Sequence, residues 1–376
     1  MTSGPLRIVV LGLSLSSSWG NGHATTYRAL LKALAARGHD ILFLERDVPW
    51  YASTRDVTRP DYCRLVLYKS LRDLERHRAA ITTADVVMVG SYVPDGIAVG
   101  RFVQEAAGGL KAFYDIDTPV TLESLAAGTC RYISRELIAG YDLYLSFTGG
   151  PVLSQIECLY GAPAARPLYC SVDPDIYAPT RRQRRWDLSF LGTYSPDRQP
   201  ALHHLLIEPA RRAPHLKFAV AGAQYPEDID WPRNVERIEH VPPSEHPGFY
   251  AASRFTLNVT RAEMVRAGFS PSVRLFEAAA TGSAIISDAW LGLETILQPD
   301  RDVIVATRPE DVLAALLSIP ESRRQRLAQS ARRRALANHT SARRAAQFEK
   351  YVLEALHGSG SQISGRELVG SAAHQS

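Results

Sequence analysis

The chain has 376 residues, of which 45% are hydrophobic and 22% are charged, and its formal net charge at pH 7 is +4. Because a single hydrophobic core stops growing at roughly 250–300 residues, this length predicts two domains. The composition is that of a globular protein, and no apolar stretch reaches the ~20 residues that span a bilayer. The weak positive charge favours a phosphorylated ligand and leaves open a peripheral contact with an anionic membrane; we predict no nucleic-acid partner.

The cysteines and the N-terminal sequence indicate a reducing compartment. The four cysteines, Cys63, Cys130, Cys158 and Cys170, lie far apart and form no C-x-x-C pair. This spacing predicts neither a zinc site nor a disulfide framework. The apolar run at residues 6–15 is short, follows no charged region, and is typical of a buried strand rather than a signal peptide. We therefore expect a cytoplasmic protein.

Short apolar runs alternate with helical patterns in the first half of the chain. The predicted strands are Leu6–Leu13, Asp40–Glu45, Val86–Gly90, Leu110–Tyr114 and Tyr144–Phe147. A helix is predicted between the first two strands, over Thr25–Arg37, and Gly38 ends it. Because strands that alternate with helices pair in parallel through right-handed crossovers, this half predicts a doubly wound sheet.

A second series of the same kind begins after residue 180. Its predicted elements are the strands Asp187–Gly192, Lys217–Gly222, Thr256–Val259, Ser283–Ser287 and Val303–Val305, and a helix over Val273–Ala280. A long final helix is predicted from Glu321 to Leu356, before a Gly- and Ser-rich end. We place an N-terminal domain at residues 1–170, a linker at 171–185, a C-terminal domain at 186–340, the end of the final helix at 341–357 and a disordered tail at 358–376.

Three segments carry a likeness to a known family. They are Ser171-Val-Asp-Pro-Asp-Ile-Tyr-Ala-Pro179, Phe190-Leu-Gly-Thr-Tyr-Ser195 with Asp197 and Arg198, and Gly268-Phe-Ser-Pro-Ser-Val-Arg-Leu-Phe-Glu-Ala-Ala-Ala-Thr-Gly-Ser-Ala-Ile-Ile-Ser-Asp288. In this order they resemble the interdomain crossing, the first donor-domain strand and the nucleotide-holding region of GT-B glycosyltransferases. The runs Trp19-Gly-Asn-Gly-His-Ala-Thr-Thr-Tyr27, Arg37-Gly-His39 and Tyr114-Asp-Ile-Asp-Thr-Pro-Val-Thr121 are similar to the CgeB-like group in particular.

The resemblance implies an α/β fold of the GT-B type, with two Rossmann-like, doubly wound domains that face each other across a cleft. The N-terminal domain would bind the acceptor, the C-terminal domain would bind the donor, and the last helix would cross back onto the N-terminal domain. The implied enzyme is a hexosyltransferase-type glycosyltransferase that moves a sugar from a UDP-, GDP- or dTDP-linked donor to a glycan or small-molecule acceptor. The donor is a co-substrate, and we expect no other cofactor and make no prediction of the oligomeric state.

The third segment has the chemistry that a nucleotide requires. Ser270-Pro271 is a favourable helix start, and the free N–H groups at a helix N-terminus bind anions. Arg274 could neutralise the leaving diphosphate, and Glu277 would accept hydrogen bonds from the ribose, as the resemblance assigns to its position. The alternative is a surface ion pair between Arg274 and Glu277 that binds nothing. The predicted donor-binding residues are Gly192, Thr193, Tyr194, Arg198, Gly222, Phe269, Ser270, Ser272, Arg274 and Glu277.

On the acceptor side, the loop Gly20-Asn21-Gly22 leads from the first strand to His23 and matches neither a P-loop nor a dinucleotide fingerprint. An imidazole there could remove the proton of an acceptor hydroxyl. Inverting GT-B enzymes resemble this arrangement, which implies that Asp117 orients His23, with Asp115 as a second candidate. The alternative is a loop histidine without a chemical role.

The stereochemistry and the reaction type stay open at this point. Retaining GT-B enzymes place two glutamates eight positions apart, but the position eight before Glu277 is Phe269; inversion is therefore favoured. The sequence Asp115-Ile-Asp117 matches the D-x-D metal motif of the unrelated GT-A fold, yet Arg274 already supplies positive charge, and we predict no metal. Two other functions remain, a nucleotide-sugar epimerase of the same fold and a catalytically silent binding or maturation module.

Overall fold

A computed structural model describes residues 4–20 and 22–370 of the chain. Over these residues the protein forms two parallel β-sheets, of seven and six strands, with helices between the strands. The arrangement confirms the predicted α/β fold class. In the described ranges, no helix is both long and apolar enough to cross a membrane.

The N-terminal sheet has the strand order β3-β2-β1-β4-β5-β6-β7, and every neighbouring pair is parallel. Its strands are β1 (Arg7–Gly12), β2 (Asp40–Arg46), β3 (Arg64–Tyr68), β4 (Val86–Gly90), β5 (Leu110–Asp115), β6 (Leu143–Ser146) and β7 (Ala165–Pro167). The helices that connect them are α1 (His23–Ala35), α2 (Pro49–Ala52), α3 (Leu71–Leu74), α4 (Arg78–Thr83), α5 (Gly96–Ala106), α6 (Thr118–Ala126), α7 (Arg135–Ala139) and α8 (Pro151–Tyr160).

The C-terminal sheet has the order β10-β9-β8-β11-β12-β13, again with parallel pairs only. Its strands are β8 (Trp186–Leu191), β9 (Phe218–Ala221), β10 (Val235–Ile238), β11 (Ser253–Asn258), β12 (Ala284–Ser287) and β13 (Ile304–Val305). The helices are α9 (Gln199–Leu202), α10 (Glu208–Arg212), α11 (His246–Ala251), α12 (Ala262–Ala267), α13 (Val273–Ala280), α14 (Leu293–Ile296), α15 (Pro309–Ser318), α16 (Glu321–Asn338) and α17 (Ser341–Gly370).

Strand β1 shows why the central strands were predictable. Its residues Ile8 and Val10 enter one hydrophobic core, whereas Val9 and Leu11 enter a second core on the opposite face. A parallel strand that is buried on both faces reads as a continuous apolar run, because successive side chains alternate between the faces. The chain order reverses next to β1 in the first sheet and next to β8 in the second. Such switch points leave a crevice at the carboxyl ends of the strands, where ligands bind.

The final helical region differs from the prediction. We expected one helix from Glu321 to Leu356, but the structure has two, α16 and α17, with a break at His339 and Thr340. The break forms because the linker pairs with it: the Val172 N–H donates to the His339 carbonyl (3.1 Å), and the Ser341 N–H donates to the Val172 carbonyl (2.9 Å). This pairing ties the linker to the end of the C-terminal half.

Helix α17 then packs on the N-terminal half of the protein. Glu349 accepts hydrogen bonds from Arg37 and His39, next to the end of α1, and Phe348 is buried in the core that contains Ile8 and Val10. The predicted return of the last helix onto the first half is therefore confirmed. Helix α17 also continues to Gly370, into the stretch from residue 358 for which we predicted disorder, because an anchored helix propagates far more easily than it nucleates. Residues 371–376 lie outside the described part.

Candidate active site

The two sheets face each other across a cleft of about 600 Å³. It is lined by the loops that follow β1, β4 and β5 in the first half and β8, β9, β10 and β11 in the second, together with the start of α13. The predicted site residues that line it are Gly20, Gly22, His23, Asp117, Gly192, Thr193, Tyr194, Arg198, Gly222, Arg274 and Glu277. Asn21 lies outside the described residues.

Two guanidinium groups form the centre of the C-terminal wall. Arg274 and Arg198 both lie over the ring of Phe190, at 4.4 and 5.9 Å from its centroid. They also flank Gly192, where an added Cβ would lie 2.6 Å from Arg274 Nη2 and 3.0 Å from Arg198 Nη1. Neither arginine forms a salt bridge to any carboxylate in the described residues. The wall therefore carries two positive charges that no side chain neutralises by contact.

The environment of Arg198 leaves hydrogen-bonding capacity unused. Its Nη1 donates to the Thr193 carbonyl at 3.3 Å, whereas its Nε is buried without a partner. Burial, and then the charge of Arg274, lower the pKa of Arg198 to about 10, so it stays protonated at neutral pH. An unsatisfied buried donor destabilises the free protein, and a ligand oxygen would satisfy it.

Arg274 is held more firmly. Its Nε donates to the Leu191 carbonyl (2.5 Å), and its Nη1 donates to Asn258 Oδ1 (2.9 Å). Ser272 Oγ donates to the same Asn258 oxygen at 2.6 Å. Thus Ser272 does not line the cleft; it contacts the amide that positions the guanidinium.

Glu277 lies at the edge of the cleft with both carboxylate oxygens in use. Oε1 accepts from the Tyr177 hydroxyl (2.8 Å) and Oε2 from the Tyr250 hydroxyl (3.0 Å), with His246 Nδ1 3.6 Å away. Burial alone would raise the pKa of Glu277, but the contact with His246 and the tyrosine hydroxyls lowers it. No ion pair joins Glu277 to Arg274 among the described side chains, and both are buried. The alternative of a surface ion pair is thus wrong.

The predicted pair of His23 and Asp117 does not form. Asp117 Oδ2 accepts from the Tyr92 hydroxyl (3.1 Å) and from Arg261 Nη1 (3.0 Å), and no described hydrogen bond joins it to His23. The reason is electrostatic, since a guanidinium is a stronger partner for a carboxylate than a neutral imidazole. Because Arg261 follows β11, this ion pair connects the two domains across the cleft.

His23 is a neutral imidazole in this structure. Burial lowers its pKa to about 4, and its Nδ1 has no hydrogen-bond partner. The edge of the Tyr92 ring packs against it, with centroids 5.5 Å apart and planes at 82°. Tyr92 therefore contacts both His23 and Asp117. An unpaired, unprotonated imidazole next to a cleft is able to accept a proton.

Asp115, the second candidate for orienting His23, does not line the cleft. Its carboxylate accepts from the hydroxyls of Tyr144 (2.5 Å) and Thr121 (2.7 Å), and it is fully buried. Burial raises the pKa of Asp115 to about 6. Its contacts hold β5 to its neighbours, so the role considered for it is wrong. In the described part of the chain, no group of three or more His, Cys, Asp or Glu side chains could hold a metal ion.

Phe269 and Ser270 also lie outside the cleft. Gly268 and Phe269 have positive φ angles of 67° and 47°, which turn the loop toward the N-terminal half. There the Ser270 hydroxyl bonds to the Thr148 hydroxyl (2.8 Å), and the Phe269 carbonyl accepts from the Gly149 N–H (2.9 Å). Helix α13 begins at Val273, after Ser272. The expected Ser270 cap is therefore wrong, because its hydroxyl is engaged by the other domain.

Several residues of the cleft were missed. Tyr92 and Arg261 follow β4 and β11 by two and three positions, and Tyr51, Gln224 and His246 also line the cleft. Both strands were predicted, and the rule that residues just past the carboxyl ends of parallel strands converge would have found Tyr92 and Arg261. The same rule would have found Gln224, which follows β9 by three positions, whereas nothing local marks Tyr51 or His246, because their place in the cleft depends on how the two halves face each other.

Two facing Rossmann-like halves with a cleft between them define a fold of the GT-B type. Residues 198–350 match a family model described as glycosyl transferase-like, which covers less than half of the chain. No curated protein sequence matches the chain significantly.

Three solved structures illustrate the likeness. The sucrose-phosphate synthase from Thermosynechococcus elongatus is 14% identical, with a TM-score of 0.68 over 94% of this chain and 100% of that one. Anabaena HepE in complex with UDP and glucose is 11% identical, with a TM-score of 0.71 over 93% and 100%. A structure described as trehalose-6-phosphate from Escherichia coli bound with UDP-2-fluoro glucose is 11% identical, with a TM-score of 0.63 over 92% and 99%. At this identity the comparisons establish the GT-B fold, which confirms the predicted architecture; the CgeB-like group stays a prediction.

Proposed function

We propose that the protein is a glycosyltransferase that moves a sugar from a nucleotide-diphosphate sugar to an acceptor hydroxyl in the interdomain cleft. The observation that carries this proposal is the pair formed by the half-buried Arg198 and the buried Arg274, which has no carboxylate partner in the described cleft. The diphosphate of such a donor is doubly negative, and its terminal charge grows as the glycosidic bond breaks. Fixed positive groups aimed at developing charge are a major source of catalysis.

The backbone beside the arginines supports close approach of a phosphate. Gly222 has a φ of 149°, and an added Cβ there would lie 2.0 Å from the Gly192 carbonyl oxygen. At Gly192 an added Cβ would overlap Arg274. A larger residue at Gly192 would therefore displace the guanidinium groups, and one at Gly222 would displace the backbone of Gly192.

For the donor, we propose a UDP-linked hexose, with GDP- and dTDP-linked sugars as the alternatives. Two of the compared structures carry UDP with glucose or UDP-2-fluoro glucose. Glu277 lies on the same wall as Arg274, where it would face the ribose, and its carboxylate retains lone pairs beyond the two that Tyr177 and Tyr250 use.

The proposed chemistry is a single, inverting displacement. The acceptor oxygen attacks the anomeric carbon, and its proton passes to the neutral imidazole of His23. The diphosphate takes the electrons of the broken glycosidic bond and leaves while it is held between Arg198 and Arg274. Inversion is favoured because the carboxylates that line the described cleft are Asp117 and Glu277, and both are already engaged. Neither is placed as a free nucleophile for a double displacement. Since the arginine pair supplies the positive charge, we propose that the reaction needs no metal.

The first experiment is a thermal-shift screen of UDP, GDP and dTDP and their sugars against the full chain, with free uridine as the control. We expect one diphosphate to raise the melting temperature and uridine to have little effect, because the arginines recognise the diphosphate. If no nucleotide stabilises the protein, the assignment fails.

The second experiment tests the reaction. With the stabilising donor, wild type should slowly release free sugar and nucleotide, and His23→Ala should lose this turnover while it keeps the nucleotide-induced shift. NMR of the first-formed sugar should show the opposite anomer from that of the donor. Turnover that survives in His23→Ala, or a retained anomer, would contradict the inverting mechanism. Binding without turnover of any donor would instead support a silent binding module.

A further inference from the structure

A second concave surface lies on the other side of the interdomain contact. It has a volume of about 700 Å³ and shares no lining residue with the cleft in the described part of the chain. Its walls come from the end of the N-terminal half at Tyr169, from the C-terminal half at Phe269 and Asn338, and from α17 at Arg343 and Lys350. We call it the hinge cavity, because the linker and both halves of the protein meet there.

The hinge cavity is positively charged. Its described lining holds Arg343, Arg344 and Lys350 and contains no Asp or Glu. Arg344 is buried and donates to the carbonyls of Tyr169 (3.1 Å) and Asn338 (3.2 Å), so its charge has neutral partners only. Lys350 approaches one carboxylate outside the cavity, at 3.7 Å, and Arg343 forms no ion pair within the described ranges.

Arg343 and Arg344 lie at the end of a helix where positive side chains are unfavourable. Helix α17 begins at Ser341, so Arg343 and Arg344 lie in its first turn, which contains no acidic residue. The N-terminus of a helix carries partial positive charge and is stabilised by anions, not by cations. Burial, and then the charges of Arg344 and Arg334, lower the pKa of His339 to about 3. The positive end of the helix and the guanidinium groups thus reinforce each other, and a bound anion would relieve their repulsion.

One wall of the hinge cavity is itself an interdomain contact. The Phe269 ring packs against Gly150 and Gly292, where an added Cβ would lie 2.3 and 2.5 Å from ring atoms. The Phe269 carbonyl accepts the Gly149 N–H, and its own N–H donates to the Leu291 carbonyl (2.6 Å). A ligand in the cavity would therefore touch the residue that connects the two halves.

We propose that the hinge cavity binds a small phosphate ester, and that the bound ligand stabilises the Phe269 contact between the domains. The size suits a small molecule, since ligand pockets commonly measure about 300–1,000 Å³. The aromatic side chains of Tyr169 and Phe269 beside the cations suit a ligand with an apolar face as well as a phosphate. By thermodynamic linkage, a ligand that prefers the closed arrangement of the domains shifts the population toward it. This site goes beyond the proposed function and does not depend on it.

The test is calorimetric titration of the full chain with inorganic phosphate, glucose 6-phosphate and AMP at constant ionic strength. These probes separate a free phosphate, a sugar phosphate and a nucleotide. The cavity variant is Arg343→Ala with Lys350→Ala, and the matched control is Arg72→Ala with Lys69→Ala, which also removes one exposed arginine and one exposed lysine. We expect saturable binding of at least one ester, at least tenfold weaker binding in the cavity variant, and unchanged binding in the control.

A third variant, Arg198→Gln, removes a cation from the cleft and should leave this binding unchanged. The proposal is overturned if no probe binds, if the control loses as much affinity as the cavity variant, or if Arg198→Gln abolishes binding while the cavity variant retains it.

Hydrogen exchange measures the effect on the interdomain contact. The bound ester should slow amide exchange at residues 147–150 and 268–270 in wild type but not in the cavity variant. Unchanged exchange at saturating ligand would refute the stabilisation of the Phe269 contact.

Discussion

Replacement of Arg198 by methionine should stabilise the free protein and at the same time weaken nucleotide binding. Methionine fills a similar volume beside Phe190 and removes both the buried Nε donor and the charge next to Arg274. Stability and function are expected to change in opposite directions because the arginine is poorly satisfied until a ligand arrives. Strained or unsatisfied groups of this kind are typical of functional sites.

The magnitude follows from the surroundings of Arg198. Its pKa is lowered from 12.5 to about 10. At 1.36 kcal/mol for each pKa unit, this corresponds to roughly 3 kcal/mol of unfavourable free energy for the charged form in the folded state. The side chain is partly exposed to the cleft, and its one hydrogen bond, to the Thr193 carbonyl, is long at 3.3 Å. After discounting for solvent screening, we expect Arg198→Met to gain about 1–2 kcal/mol. Loss of one charged hydrogen bond to a diphosphate should weaken nucleotide binding by roughly 10–100-fold.

Urea denaturation and nucleotide titration of the same samples test both halves of this prediction. Arg72→Met, an exposed substitution on α3, is the matched control and should change neither quantity. If Arg198→Met is less stable than wild type, the guanidinium is a structural group, and the reasoning about its unsatisfied donor fails. If the variant binds UDP, GDP and dTDP as wild type does, Arg198 does not bind the diphosphate.

Three further predictions concern the interdomain ion pair and the buried titratable groups. Arg261→Met removes the ion pair with Asp117 across the cleft, which stabilises the closed arrangement by about 1 kcal/mol because the pair is partly exposed. Small-angle scattering of the variant should show a larger radius of gyration. An unchanged radius would contradict the role of this pair in closure. Since burial lowers the pKa of His23 to about 4, the transfer rate should stay level from pH 8 to pH 5 and fall only near pH 4; a decline centred on pH 6.5 would mean that the base is an exposed histidine. In the folded state the pKa of Asp115 is raised from 3.8 to about 6, so the folded state binds the proton of this carboxyl more tightly than the unfolded state does. The stability that the protonated carboxyl contributes is therefore fully present below pH 3.8 and is lost as the pH rises through 6. Asp115→Asn should therefore gain up to roughly 3 kcal/mol relative to wild type between pH 4 and pH 7 in chemical denaturation, and a difference independent of pH would contradict this.

The central strands of both sheets could be predicted because each is buried on both faces, whereas the strands that were missed carry polar residues. Strand β3 is only partly buried, and β10 contains Glu236 and Arg237 between its apolar ends. Strand β7 has three residues and includes Pro167. All three strands lie at an edge of their sheet. An edge strand has a neighbouring strand on one side only, so its sequence need not be a continuous apolar run.

The donor half of the site was predictable because each of its parts is marked by the local sequence. Arg274 and Glu277 lie on one short helix, and Arg198 follows the strand that ends beside Gly192. The acceptor half was not, because the partner of Asp117 is Arg261, 144 positions further along the chain. A spacing argument between His23 and Asp117 cannot detect a competing cation that reaches the cleft from the other domain.

Three of the residues whose expected roles were wrong share one property. Asp117 and Ser270 each form a side-chain hydrogen bond with a residue of the opposite half, and Phe269 packs on Gly150 there. In a two-domain cleft, loops at the carboxyl ends of the strands have two available partners, a ligand or the facing loop. A strong polar group that faces another loop at close range is satisfied by that loop, whereas Arg198 and His23 keep buried atoms without partners. Among the residues that line the cleft, Arg198 and His23 therefore mark where we expect substrate to bind, and the satisfied groups mark what holds the cleft closed.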